Sequence, residues 1–229
     1  MNLKKQRGMT LLEIIIVLGI IGTIAAGVVI LAQRAFDSKA ITDLVTNTNT
    51  VRTVIKETYG PSGVYPATDE TGTLGLTEAN ITTTAQSAVP IAALVQLGKL
   101  STNEAKNNIS SNFFNIGAAT VGGAAGNRAY FVEINGLDQK QCRNVLLQTG
   151  NQWDYVQVVN TGDGSGSYSV ATGNIPDLAG TPVDPATITN GGQGIIRSLA
   201  ATGNQTLTPQ NIIGICSDSA ENGLVLGSR

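Results

Sequence analysis

The chain has no histidine among its 229 residues. That absence removes Ser-His-Asp and Cys-His catalysis, histidine general bases and histidine metal ligands. Cysteine is nearly absent as well. Cys142 and Cys216 lie far apart, in no Cys-x-x-Cys pair, and two cysteines cannot build a Cys-rich zinc site unaided. Charged residues reach only 13%, low for a folded chain, and the net charge is −2. An acidic chain with so few cations is a poor nucleic-acid binder. Nothing in the composition calls for a metal or another cofactor.

What is present is concentrated at the start. A basic stretch holding Lys4, Lys5 and Arg7 leads to Gly8-Met9-Thr10, and then an apolar run begins. From position 14 to 32 the only side chain with a hydrogen-bonding group is Thr23. At the head of that run stands Glu13. A carboxylate there costs roughly 2.5–3.5 kcal/mol at mid-bilayer, so it reads as a functional site whose partner should be named. The natural partner is the α-amino group that a cut between Gly8 and Met9 would create. An ordinary signal peptide fits poorly, because the run exceeds an h-region of about 7–15 residues. A plain single-pass anchor fits the length, but has no use for Glu13. In either membrane reading the basic start stays cytoplasmic.

Gly8-Met9-Thr10-Leu11-Leu12-Glu13 followed by Ile14-Ile15-Ile16-Val17 resembles a type IV prepilin. Met at position 9, and the run on to Leu31-Ala32-Gln33-Arg34-Ala35, resemble the type IVb subclass, the toxin-coregulated and longus-like group of colonisation pilins. Weaker similarities follow in Tyr65-Pro66-Ala67, Leu97-Gly98-Lys99, Glu104-Ala105-Lys106-Asn107 and Gly136-Leu137. Eight residues make a short leader for that subclass. The resemblance implies that a prepilin peptidase cuts after Gly8 and methylates Met9. It also implies that Glu13 pairs with the terminal amine of a neighbouring subunit during assembly. The implied partners are copies of this chain in a helical filament, the peptidase and the inner-membrane assembly machinery, with host-cell or pilus–pilus contacts beyond them. The implied fold is α+β, a long N-terminal helix packed on an antiparallel sheet. The implied product is a surface pilus of a Gram-negative bacterium, serving adhesion, aggregation or colonisation. Removing the leader takes away three cations and leaves a side-chain charge of −5.

The organisation expected is a leader at 1–8, an apolar filament-core helix at 9–34, an amphipathic half of the same helix at 35–60, and a head at 61–229. Ile41, Leu44, Val45, Thr48, Val51, Val54 and Ile55 recur at three- and four-residue steps and predict a stripe that packs on the head. Tyr59-Gly60-Pro61-Ser62-Gly63 ends the helix. Within the apolar half, Gly19, Thr23 and Gly27 follow at four-residue steps, with Gly22 and Ala26 beside them. Small residues so spaced let helices approach closely, although glycine is also simply common in membrane helices. The same glycines predict a helix that loosens over 19–27 in a filament.

In the head, 63–89 reads as loop. A helix opens at Pro90, and Ser101-Thr102-Asn103-Glu104 reads as a capping box for a second short helix. Strands are expected at 130–134, 154–159, 166–171 and 224–226. Asp138 caps a helix over 139–149, a further helix is expected at 195–200, and Pro209 starts another. For an exported chain the cysteines read as a Cys142–Cys216 disulfide, closing a loop of about 75 residues worth roughly 4 kcal/mol in the chain-entropy model. Two reduced, buried thiols are the alternative. Asp163-Gly164-Ser165-Gly166 lacks the carboxylates of a calcium loop and reads as a turn, and Gly122-Gly123-Ala124-Ala125-Gly126 lacks the Lys-Ser/Thr of a phosphate loop and reads as a plain surface loop. Asn80, Asn108 and Asn204 open Asn-x-Ser/Thr sequons that chance explains in so Asn- and Thr-rich a chain.

The reading is a structural, non-enzymatic pilus subunit. Its near rivals are a minor pilin, a conjugative-type pilin and a secretion pseudopilin. A membrane-anchored binding module acting as a monomer is the reading from a different class.

Overall fold

A computed structural model describes residues 10–123, 127–162, 166–184, 187–188, 191–219 and 221–229. Gly8, Met9, the 124–126 part of the glycine loop and Asp163-Gly164-Ser165 lie outside the described residues. The chain divides into two units, Met1–Ala40 and Ile41–Arg229.

The first unit is helical from Leu11 onward, the start of α1 (Leu11–Tyr59). Its apolar side chains stand in the open: Leu11 is 79% exposed, Ile15 58% and Leu31 65%. Among the described residues this helix alone is long and apolar enough to cross a membrane, with a mean hydropathy of 3.0 in its best window. So large an exposed apolar surface marks a membrane or protein contact.

The second unit packs the rest of α1 on a sheet. Ile41, Leu44, Thr48, Val51, Val54 and Ile55 are buried, so the expected stripe is the seam. Thr48 satisfies its buried hydroxyl by donating to the Leu44 carbonyl at 2.7 Å. Arg52 lies 4.7 Å above the Trp153 ring, a cation–π contact that fixes α1 to the segment just before Tyr155. α1 ends at Tyr59, and a short 3-10 turn follows, closed by Gly63 at φ 67°.

The sheet has five antiparallel strands in the order β1-β2-β5-β3-β4: β1 (Asn115–Ala119), β2 (Ala129–Leu137), β3 (Tyr155–Asn160), β4 (Gly194–Arg197) and β5 (Asn222–Ser228). Alternation splits each strand between two cores. Tyr130, Val132, Ile134, Val156, Val158, Leu224 and Leu226 face the α1 core, while Phe131, Tyr155, Val159 and Val225 join Val170 and Leu178 on the other face. Gly117 lets the 65–68 segment cross that second face, since a Cβ there would stand 2.8 Å from the Thr68 nitrogen.

Several sequence expectations need correction. Segment 166–171 is not a strand; the Ser169 and Val170 N–H groups donate to the Glu133 carboxylate instead of to a ladder. The helix expected at 195–200 is β4, an edge strand paired with β3. Short apolar runs are ambiguous by periodicity, and here the neighbouring strand decides. The capping box at Ser101 forms, with Glu104 accepting from the Ser101 N–H at 2.8 Å, yet only turns follow. The chain then doubles back, with Lys106 bridging to Phe113. Loop 63–89 contains α2 (Glu70–Leu74), capped by Asp69. β1 was not expected, and β2 runs past Asn135 to Leu137 with a register shift, Gly136 taking φ 68°. The 224–226 strand is the middle of the sheet.

Other elements follow the local signals. α3 (Pro90–Gln96) opens on its proline. α4 (Gln139–Thr149) carries a full capping box, with Asp138 accepting from the Gln141 N–H and the Gln141 side chain accepting from the Asp138 N–H. α5 (Pro209–Ile213) again starts on proline. Because Asp138 satisfies an otherwise orphaned donor, Asp138→Ala should cost about 1 kcal/mol. Thermal unfolding of the purified chain should show that as a fall of roughly 2–4 °C. An unchanged midpoint would mean that α4 is held by packing alone.

Candidate assembly site

Thr10 and Glu13 start the exposed helix together. The Glu13 N–H donates to the Thr10 carbonyl at 3.1 Å and to Thr10 Oγ1 at 3.3 Å, so Thr10 is the N-cap and Glu13 occupies the third helical position. A carboxylate in the first turn also suits the positive end of the helix dipole. Glu13 therefore has a local reason to be acidic, besides any intersubunit one. Its side chain is exposed, and Ile16 and Val17 lie one turn on along the same face. Among the described residues no cation lies within ion-pair distance of it.

Gly19, Gly22, Thr23, Ala26 and Gly27 all lie exposed on the continuous helix. A Cβ built at any of the three glycines meets nothing within 4 Å, so nothing within this chain requires glycine there. Thr23 donates to the Ile20 carbonyl at 2.9 Å, which leaves its outer face apolar enough for lipid or a neighbouring helix. Glu13 and the small residues thus share one helix in the first unit.

The second unit holds the disulfide. Cys142, on α4, and Cys216, after α5, are bonded, with Cα atoms 6.1 Å apart and both residues fully buried. The bridge is part of the head's core. α4 and α5 are also joined by Arg143, which donates to the Ile213 carbonyl.

Sequence reasoning missed Glu133, a carboxylate buried at 0% exposure in β2. It accepts from Asn115 Nδ2 at 2.9 Å, from the Ser169 N–H and Oγ at 2.5 and 2.7 Å, and from the Val170 N–H at 3.2 Å. Burial pushes its carboxyl upward, and these hydrogen bonds pull the other way. Thr68 extends the network by donating to Asn115 Oδ1 at 2.8 Å. Glu133 and Asn115 together tie four stretches of chain. The signal was a lone acid inside Tyr130-Phe131-Val132-Glu133-Ile134.

Comparison with known proteins covers both units. The family described as toxin-coregulated pilus subunit TcpA matches residues 93–223, and the prokaryotic N-terminal methylation motif matches residues 3–29. The chain is 35% identical over 226 residues to a toxin coregulated pilin of Vibrio cholerae, covering 97% of this chain and 90% of that one. A second such pilin, from Vibrio cholerae serotype O1, is 36% identical over 227 residues, with the same coverage. In fold it matches the crystal structure of TcpA, a type IV pilin of the Vibrio cholerae El Tor biotype, at a TM-score of 0.64 and 24% identity, over 83% of this chain and 99% of that one. Relatives at this identity, matched nearly end to end, account for the methylation motif, the apolar helix and the sheet together: the chain belongs to the toxin-coregulated pilus subunit family of type IV pilins, structural proteins of the pilus and not enzymes.

Proposed function

We propose that this chain is made with residues 1–8 as a cytoplasmic leader, is cut between Gly8 and Met9 by a prepilin peptidase, and is methylated on Met9. Residues 9–34 then hold the subunit in the inner membrane of a Gram-negative bacterium and later form the filament core. Residues 35–60, the amphipathic half of the same helix, carry the globular head, residues 61–229. Assembly sets Glu13 of one subunit against the Met9 amine of its neighbour, with Gly19, Gly22, Thr23, Ala26 and Gly27 in the seam. The helix loosens over 19–27 as the filament packs. The assembly machinery builds the pilus, and the filament serves adhesion, aggregation or colonisation through host-cell or pilus–pilus contacts.

One observation carries this reading: an exposed apolar helix with a single carboxylate, Glu13, in its first turn. Each Leu, Ile or Val taken out of water contributes about 1.5–3 kcal/mol, so the run as a whole outweighs the roughly 2.5–3.5 kcal/mol that the carboxylate costs in lipid. Mass analysis of the N-terminal peptide from sheared filaments should return a chain beginning at monomethylated Met9. A chain beginning at or beyond position 26 would mean cleavage by a signal peptidase and would overturn the proposal.

A further inference from the structure

The face of the sheet turned away from α1 carries an open cleft of about 360 Å³, within the range of roughly 300–1,000 Å³ typical of small-molecule sites. Its floor is β3. Tyr155, Gln157 and Val159 point to this face, because the alternate residues Val156 and Val158 enter the α1 core. Its wall is the irregular segment around Asn174, Pro176 and Asp177.

Gln157 is out of pattern: an amide on a strand face otherwise committed to apolar packing. Its Oε1 accepts from Tyr155 Oη at 2.7 Å, which fixes which end of the amide points where. Its Nε2 donates to no group among the described residues, and neither end of the Asn174 side-chain amide is engaged among them. Asp177 is held rigidly, accepting from the Ala179 and Gly122 N–H groups on Oδ1 at 2.9 and 2.8 Å, and from the Gly123 N–H on Oδ2 at 3.1 Å. Those backbone donors keep its carboxyl below the usual range, so it is an ionised acceptor at neutral pH. Each carboxylate oxygen has about two lone-pair sites, so Oδ2 retains acceptor capacity.

The lining chemistry narrows the ligand. No Lys or Arg lines the cleft, and its one charge is negative, which excludes phosphates, carboxylates and acidic sugars. One carboxylate alone is a poor metal site. One preset amide donor, a second amide with no partner among the described residues, and a carboxylate acceptor, interleaved with the apolar Val159, Val170 and Ile195, suit a molecule with many hydroxyls on one side and C–H groups on the other. We propose that this cleft binds an uncharged pyranose sugar, free or at the end of a glycan, with Gln157 and Asn174 donating and Asp177 accepting. The site belongs to the head alone and does not depend on filament assembly.

Saturation-transfer NMR on the full-length chain, kept in a detergent without sugar groups, tests this directly. The probes are glucose, galactose, mannose, N-acetylglucosamine and N-acetylgalactosamine at millimolar concentration, with glucuronate as the anionic control. The expected result is transfer to ring protons of at least one neutral sugar and none to glucuronate. Asn174→Ala, which disturbs no hydrogen bond of the side chain, should weaken that signal at least fivefold with an unchanged melting temperature. Asp177→Asn should weaken it too and serves as a second variant. No transfer from any of the five sugars would overturn the assignment. So would a signal that glucuronate shares, or one that survives both substitutions. Wild-type filament yield from a Glu13→Val variant that still binds sugar would strike only the assembly reading.

Discussion

Glu13→Val should reach the membrane at wild-type levels and yield few or no filaments when it is the only pilin present. Removing a carboxylate from the apolar segment favours insertion, so the defect belongs to assembly. In a growing filament, the amine of one subunit and Glu13 of the next would meet among packed apolar helices. Low dielectric strengthens their attraction while making their desolvation costly, so the expected gain is register more than stability. The local structure supplies a competing account, because Glu13 also sits at the third position of a helix capped by Thr10. Glu13→Gln separates the two. Glutamine serves a capping box as well as glutamate does, but carries no charge. Charge pairing therefore predicts that Gln fails nearly as badly as Val, and that Asp, one methylene short, falls between Val and wild type. The measurement is filament yield by shearing, normalised to membrane-bound pilin. Wild-type yield from Gln would assign Glu13 to the cap, and wild-type yield from Val would leave apolar packing as the sole determinant of register.

Losing the Cys142–Cys216 bridge should be the most damaging single change in the head. The bond spans a sequence separation of 74 residues, for which the loop-entropy model gives roughly 4 kcal/mol, less where the unfolded chain is compact. For a head of this size that corresponds to a fall of up to roughly 8–16 °C in Tm. It ties α4 to the segment leading into β5, the strand that joins β2 to β3. Cys142→Ser should therefore lower pilin abundance after export, and Cys142→Ser with Cys216→Ser should be no worse than either alone. An additive loss in the double variant would show that the thiols pack separately and that the cross-link is not what stabilises the head.

The legible parts of this chain are the local ones. The basic start, Gly8-Met9 and Glu13 lie within thirteen residues, so the proposed processing and assembly sites adjoin in sequence. The stripe from Ile41 to Ile55 and the Asp138 cap are equally local, because a helix satisfies its hydrogen bonds three or four residues away. Strand partners are distant by comparison. Tyr130 pairs with Ser228 and Tyr155 with Gly227, so nothing near position 224 announces that a short terminal run becomes the centre of the sheet. Segment 166–171 shows the same limit in reverse. It has the alternation of a strand, but Glu133, more than thirty residues earlier, takes the backbone donors that a ladder would need. The 195–200 run likewise became β4 because β3 offered it an edge. Sequence by itself determined the family and the long helix, and it is the source of the proposed N-terminal site. Tertiary structure alone decided the strand order, the burial of Glu133 and the cleft above β3, because each depends on which distant backbone groups find one another.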